Sequence, residues 1–211
     1  SPDPEIPIET SAGAMDELRA RGLCTQLGVC NADAGQRRRF AAVADCAAVQ
    51  CPLNLRQRDS LLDLIPDADS AGCQAHVSWT PMKGLLAGQI KRDHQFAAGD
   101  VRPGYEIFQG EQRRRTHAVL DRIGELGQQC DRTIAQLSIG WALSQPGVTA
   151  PIIGPRTLEQ VTDNLGAVSV ELDAEDFARI DALIPPTSAA VHYYDRAMAN
   201  DFRPGRHRSL V

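Results

Sequence analysis

The stretch that decides the fold of this chain is PIIGPRTLEQVTDNLGA, residues 151–167. The apolar run at 150–153 predicts a buried strand, which the following Gly-Pro pair ends. Thr157 and Gln160 have the spacing of a capping box, so a helix is predicted over Thr157–Leu165. A helix N-terminus directly after a strand offers free N–H groups, and Arg156 beside it has the fork geometry that grips a phosphate. The alternative is an ordinary strand-to-helix turn with a solvated arginine.

Three more units of a strand followed by a helix precede this stretch. Short apolar strands are predicted at 23–30, 47–51 and 74–80. The helices are predicted over 10–21, 31–42, 60–71 (interrupted at Pro66), 116–129, 133–141 and from 173, with a long aperiodic connection over 81–111. Short apolar strands that alternate with helices predict an α/β fold with a parallel sheet. Periodicity alone leaves two architectures open, half of an eight-stranded (β/α) barrel or a small open sheet.

The composition excludes several classes of protein. The chain has 211 residues, 43% of them hydrophobic, and a net charge of −5. This length and apolar content suffice for one domain with a hydrophobic core. The negative charge argues against a general nucleic-acid binder and against a protein that binds acidic membranes. No apolar run approaches the roughly 20 residues that a membrane-spanning helix requires.

The cysteines give no sign of a metal site. The chain has six of them, without a C-x-x-C pair and without the spacing of zinc ligands. Several lie within apolar runs, as buried thiols do. The first residues, SPDPE, are polar and contain no apolar core of a signal peptide. We therefore expect reduced thiols in a soluble, cytoplasmic protein.

Four segments, in order along the chain, resemble the second half of the aldo-keto reductases. They are LGVCN at 27–31, AVQ at 48–50, SWTPMKGLLAG at 78–88 and the stretch at 151–167. The resemblance implies that residues 1–184 form four βα units like the C-terminal half of a (β/α)8 TIM barrel. Residues 185–211 would then form an irregular C-terminal tail.

The resemblance also implies a nicotinamide dinucleotide lying across the C-terminal ends of the strands. Cys30, Asn31 and Gln50 would line the carboxamide of the nicotinamide, with a thiol where the family usually has the hydroxyl of a serine. Trp79 would stack on the nicotinamide ring. The alternative for Trp79 is an aromatic side chain in the core.

The other cofactor contacts that the resemblance implies lie in two segments. Pro81 to Leu85 would wrap the pyrophosphate with Lys83 as counter-charge, in a loop one residue shorter than the usual family form. In the second segment, Gly154, Arg156 and Thr157 would hold the 2′-phosphate, and Gln160 and Asn164 would hold the adenine. Since only NADP has a 2′-phosphate, Arg156 at a helix N-terminus favours NADP(H) over NAD.

The sequence assigns no catalytic residue. In the aldo-keto reductases a tyrosine protonates the carbonyl oxygen, supported by an aspartate, a lysine and usually a histidine. The family carries these residues in the first half of its barrel, and no position of this chain matches them. In the tail, His192, Tyr193, Tyr194 and Asp195 are candidates, against the alternative of a tail packed on the barrel surface. His76 lies in the middle of a strand and is predicted to be a core residue.

Three functional hypotheses follow. The first is an NADP(H)-dependent reductase of a small carbonyl substrate, in which this chain is the cofactor-binding half and activity requires the missing half. The second is a non-catalytic half-barrel that binds NADP or a partner and is stabilised by self-association. The third, an unrelated small α/β phosphate-binding domain, would make the four ordered matches accidental. Because four strands cannot close a barrel, we expect a homo-oligomer or pairing with a missing N-terminal half.

Overall fold

A computed structural model describes residues 1–183, so the predicted tail over 185–211 lies outside the described residues. Within residues 1–183 the strands are β1 (Gly28–Cys30), β2 (Ala48–Pro52), β3 (Gln74–Ser78) and β4 (Val148–Pro151). The helices are α1 (Ile8–Ala20), α2 (Ala34–Ala41), α3 (Leu64–Ser70), α4 (Gly110–Cys130), α5 (Ile134–Leu143), α6 (Leu158–Leu165) and α7 (Ala174–Leu183). No helix in this part of the chain is long and apolar enough to span a bilayer.

The four strands form one parallel sheet in the order β1-β2-β3-β4. Each strand therefore lies beside its predecessor in the sequence, which is the arrangement of strands in a (β/α) barrel. The register places Cys30 beside Gln50 and Gln50 beside His76. In the described sheet, β1 and β4 each have one unpaired edge. The predicted α/β class with four βα units is confirmed.

The two faces of the sheet differ in burial. Side chains alternate along each strand, and those that point towards the helices are fully buried: Val29, Val49, Cys51, Ala75 and Val77. We call this side the outer face. On the opposite, inner face, Cys30, Gln50 and His76 are only half-buried. The prediction of His76 as a core residue was therefore wrong, and its Nε2 lies 3.1 Å from Gln74 Oε1 instead.

Two helix predictions are corrected by the structure. Pro66 does not interrupt a helix that begins at residue 60, because α3 begins only at Leu64 and Pro66 lies in its first turn. Proline is tolerated there, since the first N–H groups of a helix have no partner within the helix. The helix predicted from Thr116 begins earlier, at Gly110. Its first turns lack an apolar stripe and are stabilised by ion pairs of Glu111 with Arg114 and Arg115.

Two strands also differ from their predicted bounds. The strand predicted over 23–30 is confined to Gly28–Cys30, and its register with β2 begins at the pair of Gly28 and Ala48. The strand predicted over 150–153 lies two residues earlier, at Val148–Pro151. A register irregularity in β3, between Ala75 and His76, accompanies this shift.

Candidate functional site

The C-terminal end of β1 and the middle of β2 bring together the first three predicted cofactor residues. Cys30 and Gln50 are neighbours in the register, and the Asn31 N–H donates to the Gln50 carbonyl at 2.8 Å. Asn31 has a φ of 55°, in the left-handed region that asparagine tolerates better than most residues. This turn directs the chain away from the sheet directly after β1, so the three side chains lie at one strand end.

The side chain of Asn31 has an unused hydrogen-bond acceptor. Its Nδ2 donates to Ser1 Oγ at 2.9 Å. Its Oδ1 is buried and has no hydrogen-bond partner among residues 1–183. A buried carbonyl oxygen without a donor costs about 1–3 kcal/mol. An amide N–H of a ligand at this strand end would remove that cost, so the residues present fit the carboxamide of a nicotinamide.

Cys30 differs from a serine at this position in its hydrogen bonding. Burial raises the pKa of the Cys30 thiol, partly opposed by the charge of the N-terminus and by the Ser1 hydroxyl. The sulfur therefore keeps its proton at neutral pH. A neutral thiol is a weak donor and a weak acceptor, so Asn31 and Gln50 provide the strong polar groups here.

An aromatic pair lies just beyond the end of β3. Trp79 is half-buried, and Tyr105 packs edge-to-face against it with ring centroids 5.5 Å apart. Lys83 Nζ lies 5.1 Å from the Trp79 ring and 4.8 Å from the Tyr105 ring, within the range of a cation–π interaction. Sequence reasoning missed Tyr105, because it lies in the aperiodic connection 26 positions after Trp79. Its only signal was a large aromatic residue in a long loop.

The segment from Pro81 to Leu85 has an unusual backbone conformation, and the N–H groups of Met82, Gly84 and Leu85 donate within the chain. Met82, Lys83 and Gly84 all have positive φ angles. Leu85 is fully buried in the core, and its N–H donates to the Met82 carbonyl at 3.1 Å. Leu85 therefore offers neither a free N–H group nor an exposed side chain for the predicted pyrophosphate contact. Lys83 is the exposed cation of this segment.

The other predicted residues cluster at the N-terminus of α6. Thr157 Oγ1 accepts from the Gln160 N–H at 3.3 Å, so Thr157 is the N-cap residue as predicted. Gln160 Oε1, however, accepts from the Arg156 N–H at 2.7 Å rather than from Thr157. This bond fixes the backbone just before the helix, while the side chain of Arg156 is exposed beside it. Gly154 precedes this turn, and Asn164 follows Gln160 one turn later on the same side of α6.

The long connection approaches this helix terminus. Hydrogen bonds from Arg102 lower the pKa of Asp100 to about 2, and the charge of Arg156 contributes to the lowering. Arg156 is therefore within electrostatic reach of the loop that also carries Tyr105. The long connection thus reaches both parts of the candidate site, the aromatic pair after β3 and the N-terminus of α6.

Two further expectations concern groups away from the strand ends. The candidates His192, Tyr193, Tyr194 and Asp195 lie outside the described residues. Within residues 1–183, no cluster of three or more histidine, cysteine, aspartate or glutamate side chains has an arrangement that would hold a metal ion. All six cysteines are free thiols, and those at 46, 51 and 73 are buried.

Comparison with known proteins decides the family. The profile of the Aldo/keto reductase family matches residues 1–185. This chain belongs to the Aldo/keto reductase family. Three of the four short segments that suggested it are the ends of β1, β3 and β4 with the residues that follow them, and the segment at 48–50 is the first part of β2.

Relatives of this aldo/keto reductase chain agree with the assignment. It is 30% identical over 185 residues to the aldo-keto reductase str7 of Strobilurus tenacellus, covering 86% of this chain and 55% of that protein. It is 27% identical over 187 residues to the aldo-keto reductase YhdN of Bacillus subtilis (strain 168), covering 88% of this chain and 56% of that protein.

A solved structure resembles the fold of this aldo/keto reductase chain. The glycerol dehydrogenase AKR11B4 from Gluconobacter oxydans superposes with a TM-score of 0.79 at 26% identity. The match covers 91% of this chain and 57% of that protein. The chain thus spans little more than half the length of each of these three relatives.

Proposed function

We propose that this chain is the cofactor-binding half of an NADP(H)-dependent carbonyl reductase of the aldo/keto reductase type. The observation that carries the proposal is the buried Oδ1 of Asn31, which has no partner among the described residues and lies beside Gln50 where β1 ends. When bound, the nicotinamide supplies or accepts a hydride. The residues of this chain bind and orient it.

The proposal gives each part of the site a separate task. Asn31 Oδ1 accepts from the carboxamide N–H₂ and so fixes the rotation of the nicotinamide ring. Trp79, held edge-on by Tyr105, offers a flat surface on which that ring stacks. Lys83, exposed beside both rings, would neutralise a pyrophosphate oxygen of the bound cofactor.

The choice of NADP(H) over NAD(H) rests on Arg156. Its guanidinium is exposed at the N-terminus of α6, next to the Thr157 cap. The N-terminus of a helix carries a partial positive charge, and arginine binds phosphate oxygens with two parallel hydrogen bonds. Both effects favour a dinucleotide with a 2′-phosphate.

Catalysis is assigned to the barrel half that this chain lacks. A small carbonyl substrate would lie between the nicotinamide and that half, which also supplies the proton. The half-buried inner face and the unpaired edges of β1 and β4 support such pairing, because an open sheet of this kind is completed in a closed barrel. The free thiols fit the reducing cytoplasm as the site of the reaction.

The same edges support a second candidate function. Two copies of this chain would contribute four strands each, which gives the number in a (β/α)8 barrel. Such a dimer would bind NADP(H) without the tyrosine that completes carbonyl reduction. It therefore predicts cofactor binding, a dimeric mass and no turnover.

Isothermal titration calorimetry with NADPH and NADH tests the cofactor assignment. The 211-residue chain should bind NADPH more tightly than NADH, and Arg156→Ala should weaken NADPH binding by about 10- to 100-fold, the value of one or two charge-assisted hydrogen bonds. Arg21→Ala, which removes an exposed arginine at the end of α1, is the matched control and should bind normally. Equal affinities of Arg156→Ala and the unmodified chain for NADPH would disprove the role of Arg156.

A second measurement separates the two candidate functions. Light scattering gives the mass of the chain, alone and mixed with a polypeptide carrying the first four βα units of an aldo/keto reductase barrel. NADPH oxidation with a small aldehyde only in the mixture supports the reductase half. A stable dimer that binds NADPH and excludes the added half supports the second function.

A further inference from the structure

A cavity on the helix side of the molecule is not used by the proposed function. It has a volume of about 600 Å³ and lies between the segment 88–93, the second half of α4 and the start of α5. Its apolar lining is formed by Gly88, Ile90, Leu120, Gly124 and Ile134. This volume is within the range of small-molecule sites, roughly 300–1,000 Å³.

One polar group in the lining has no partner. His117 is only 6% exposed, and its Nε2 is buried without a hydrogen-bond partner among the described residues. A buried ring nitrogen without a partner is costly, and a ligand atom in the cavity would provide that partner. The cavity therefore combines an apolar part, a buried polar atom without a partner and charged side chains, and so offers contacts to a ligand that has both an apolar and a polar end.

The charges around His117 favour an anion. Burial lowers the pKa of His117, and the cations Arg92, Arg113 and Lys91 lower it further, while Asp121 alone opposes them. The ring is therefore neutral at pH 7, and in the tautomer with a proton on Nε2 it is a donor. Arg92 is paired with Asp121, which leaves Arg113 and Lys91 as the excess positive charge.

Two other carboxylates belong to the same cavity. Asp93 and Glu125 line it as well, so the lining contains side chains of both signs. The charges that act on His117 are mostly positive, from Arg92, Arg113 and Lys91, against Asp121 alone. A ligand anion is therefore best accommodated at His117, beside Lys91 of the lining.

Two glycines of the lining lie against Ile134, and one of them, Gly88, is also favoured by its backbone φ of 68°. A Cβ atom at Gly124 would lie 3.6 Å from Ile134 Cδ1, and one at Gly88 would lie 3.4 Å from the same atom. Gly124 lies inside α4, where glycine costs about 0.5–1 kcal/mol relative to alanine. The helix thus carries an unfavourable residue at a position where a larger side chain would fill the cavity.

We propose that this cavity is a binding site for a small amphiphilic carboxylate, with the apolar chain against Ile90, Leu120 and Ile134 and the carboxylate accepting from His117 Nε2–H. The site is separate from the cofactor residues at the strand ends. Its ligand is not the proposed carbonyl substrate, and its test does not depend on NADPH binding.

NMR of the histidine ring nitrogens in the 211-residue chain tests the site, with octanoate and 1-octanol as the two probes. The His117 signal is assigned by its loss in His117→Gln. Octanoate should shift this signal saturably, and 1-octanol should bind about tenfold more weakly, because it lacks the charge-assisted hydrogen bond. Absence of a saturable shift, or equal binding of the two probes, would overturn the proposal.

Two leucine substitutions on α4 separate binding from folding. Gly124→Leu fills the cavity and should abolish the octanoate shift while preserving the helical circular dichroism. Ala118→Leu introduces the same residue on the exposed side of α4 and should leave octanoate binding unchanged. Octanoate binding that persists in Gly124→Leu would exclude this cavity as the site.

Discussion

Helices α5 and α6 begin with the same kind of N-cap but lie in opposite environments. Each has a threonine N-cap with a glutamine three residues later, Thr133 with Gln136 and Thr157 with Gln160. Most residues of α5 are buried, and Trp141 is 1% exposed. None of the residues of α6 is buried, and its Leu165 is 65% exposed.

This difference in burial distinguishes a fully packed part of the fold from its exposed edge. Helix α5 packs between the outer face of the sheet and its neighbours, so closely that a Cβ at Gly140 would lie 2.8 Å from Val170 Cβ. Helix α6 follows the edge strand β4 and carries an exposed apolar stripe with helical spacing, formed by Leu158, Val161 and Leu165 and continued by Val168 in the turn after the helix. In a closed barrel the next βα unit would cover this stripe. Burial thus follows the position of each helix and its apolar content, since α5 is apolar on nearly all sides and α6 on one side, and it does not follow the N-cap signal that they share.

The largest effect that we expect is in the core contacts of α5. Trp141→Ala should lower the free energy of unfolding by about 3–5 kcal/mol, because the cavity left by a buried aromatic ring closes only partly. Leu165→Ala in α6 should change it by less than about 0.5 kcal/mol, as for other exposed residues. Urea unfolding followed by circular dichroism measures both. Equal effects would contradict the burial difference between the two helices.

An ion pair at the contact between α2 and α3 should give the next largest effect. Arg37 is 6% exposed, and Asp67 accepts hydrogen bonds from both Arg37 and Arg38. Asp67→Asn should cost about 1.5–3 kcal/mol, the value of hydrogen bonds to a charged group, because the buried guanidinium loses its counter-charge. Glu171→Gln, at an exposed position between α6 and α7, is the control and should change the free energy of unfolding by less than about 0.5 kcal/mol.

The pH dependence of stability gives this prediction a second test. The hydrogen bond from Arg37 lowers the pKa of Asp67 below its ordinary value of 3.8, so the folded state binds the proton less tightly than the unfolded state. The stabilisation is therefore present above pH 3.8 and is lost as the pH falls below it. The stability difference between the unmodified chain and Asp67→Asn should shrink over that range. A difference that stays constant would show that the charge of Asp67 is not involved.

Removal of the two threonine caps should lower the free energy of unfolding by smaller and unequal amounts. Thr133 forms a complete capping box with Gln136, and its hydroxyl also donates to Asp163 at 3.0 Å. Thr157 accepts only from the Gln160 N–H. We expect a loss of about 1–2 kcal/mol for Thr133→Ala and about 0.5–1 kcal/mol for Thr157→Ala. The melting temperatures of the two variants measure this difference, with Thr162→Ala on exposed α6 as control. A larger loss for Thr157→Ala than for Thr133→Ala would contradict it.

The smallest effect on the chain itself should come from the apolar stripe of α6. Leu165→Asp should leave the stability of the isolated chain within about 0.5 kcal/mol. It should, however, weaken association with the other half of the barrel, or with a second copy, because it places a charge in the contact. Sedimentation velocity measures this association. Unchanged association would show that the stripe is not part of the contact.

Features set by neighbouring residues were predictable from the sequence. The caps at Thr133 and Thr157 and the four strands follow from local spacing, and the family resemblance placed the candidate cofactor residues at strand ends. The start of α4 was missed because Glu111, Arg114 and Arg115 stabilise it by charge rather than by an apolar stripe. Contacts between distant segments, such as Tyr105 on Trp79, and the half-exposed inner face around His76 have no periodic signal, so the sequence alone did not reveal them.

The positions of the two tryptophans give the chain two optical reporters. Trp141 lies in the core beneath the guanidinium of Arg58, so its fluorescence should follow unfolding. Trp79 lies half-exposed beside Lys83 and Tyr105, where a bound nicotinamide would quench it. Since the chain contains only these two tryptophans, replacing either by phenylalanine leaves a single tryptophan as the reporter. Folding and cofactor binding can then be followed separately in the same unlabelled protein.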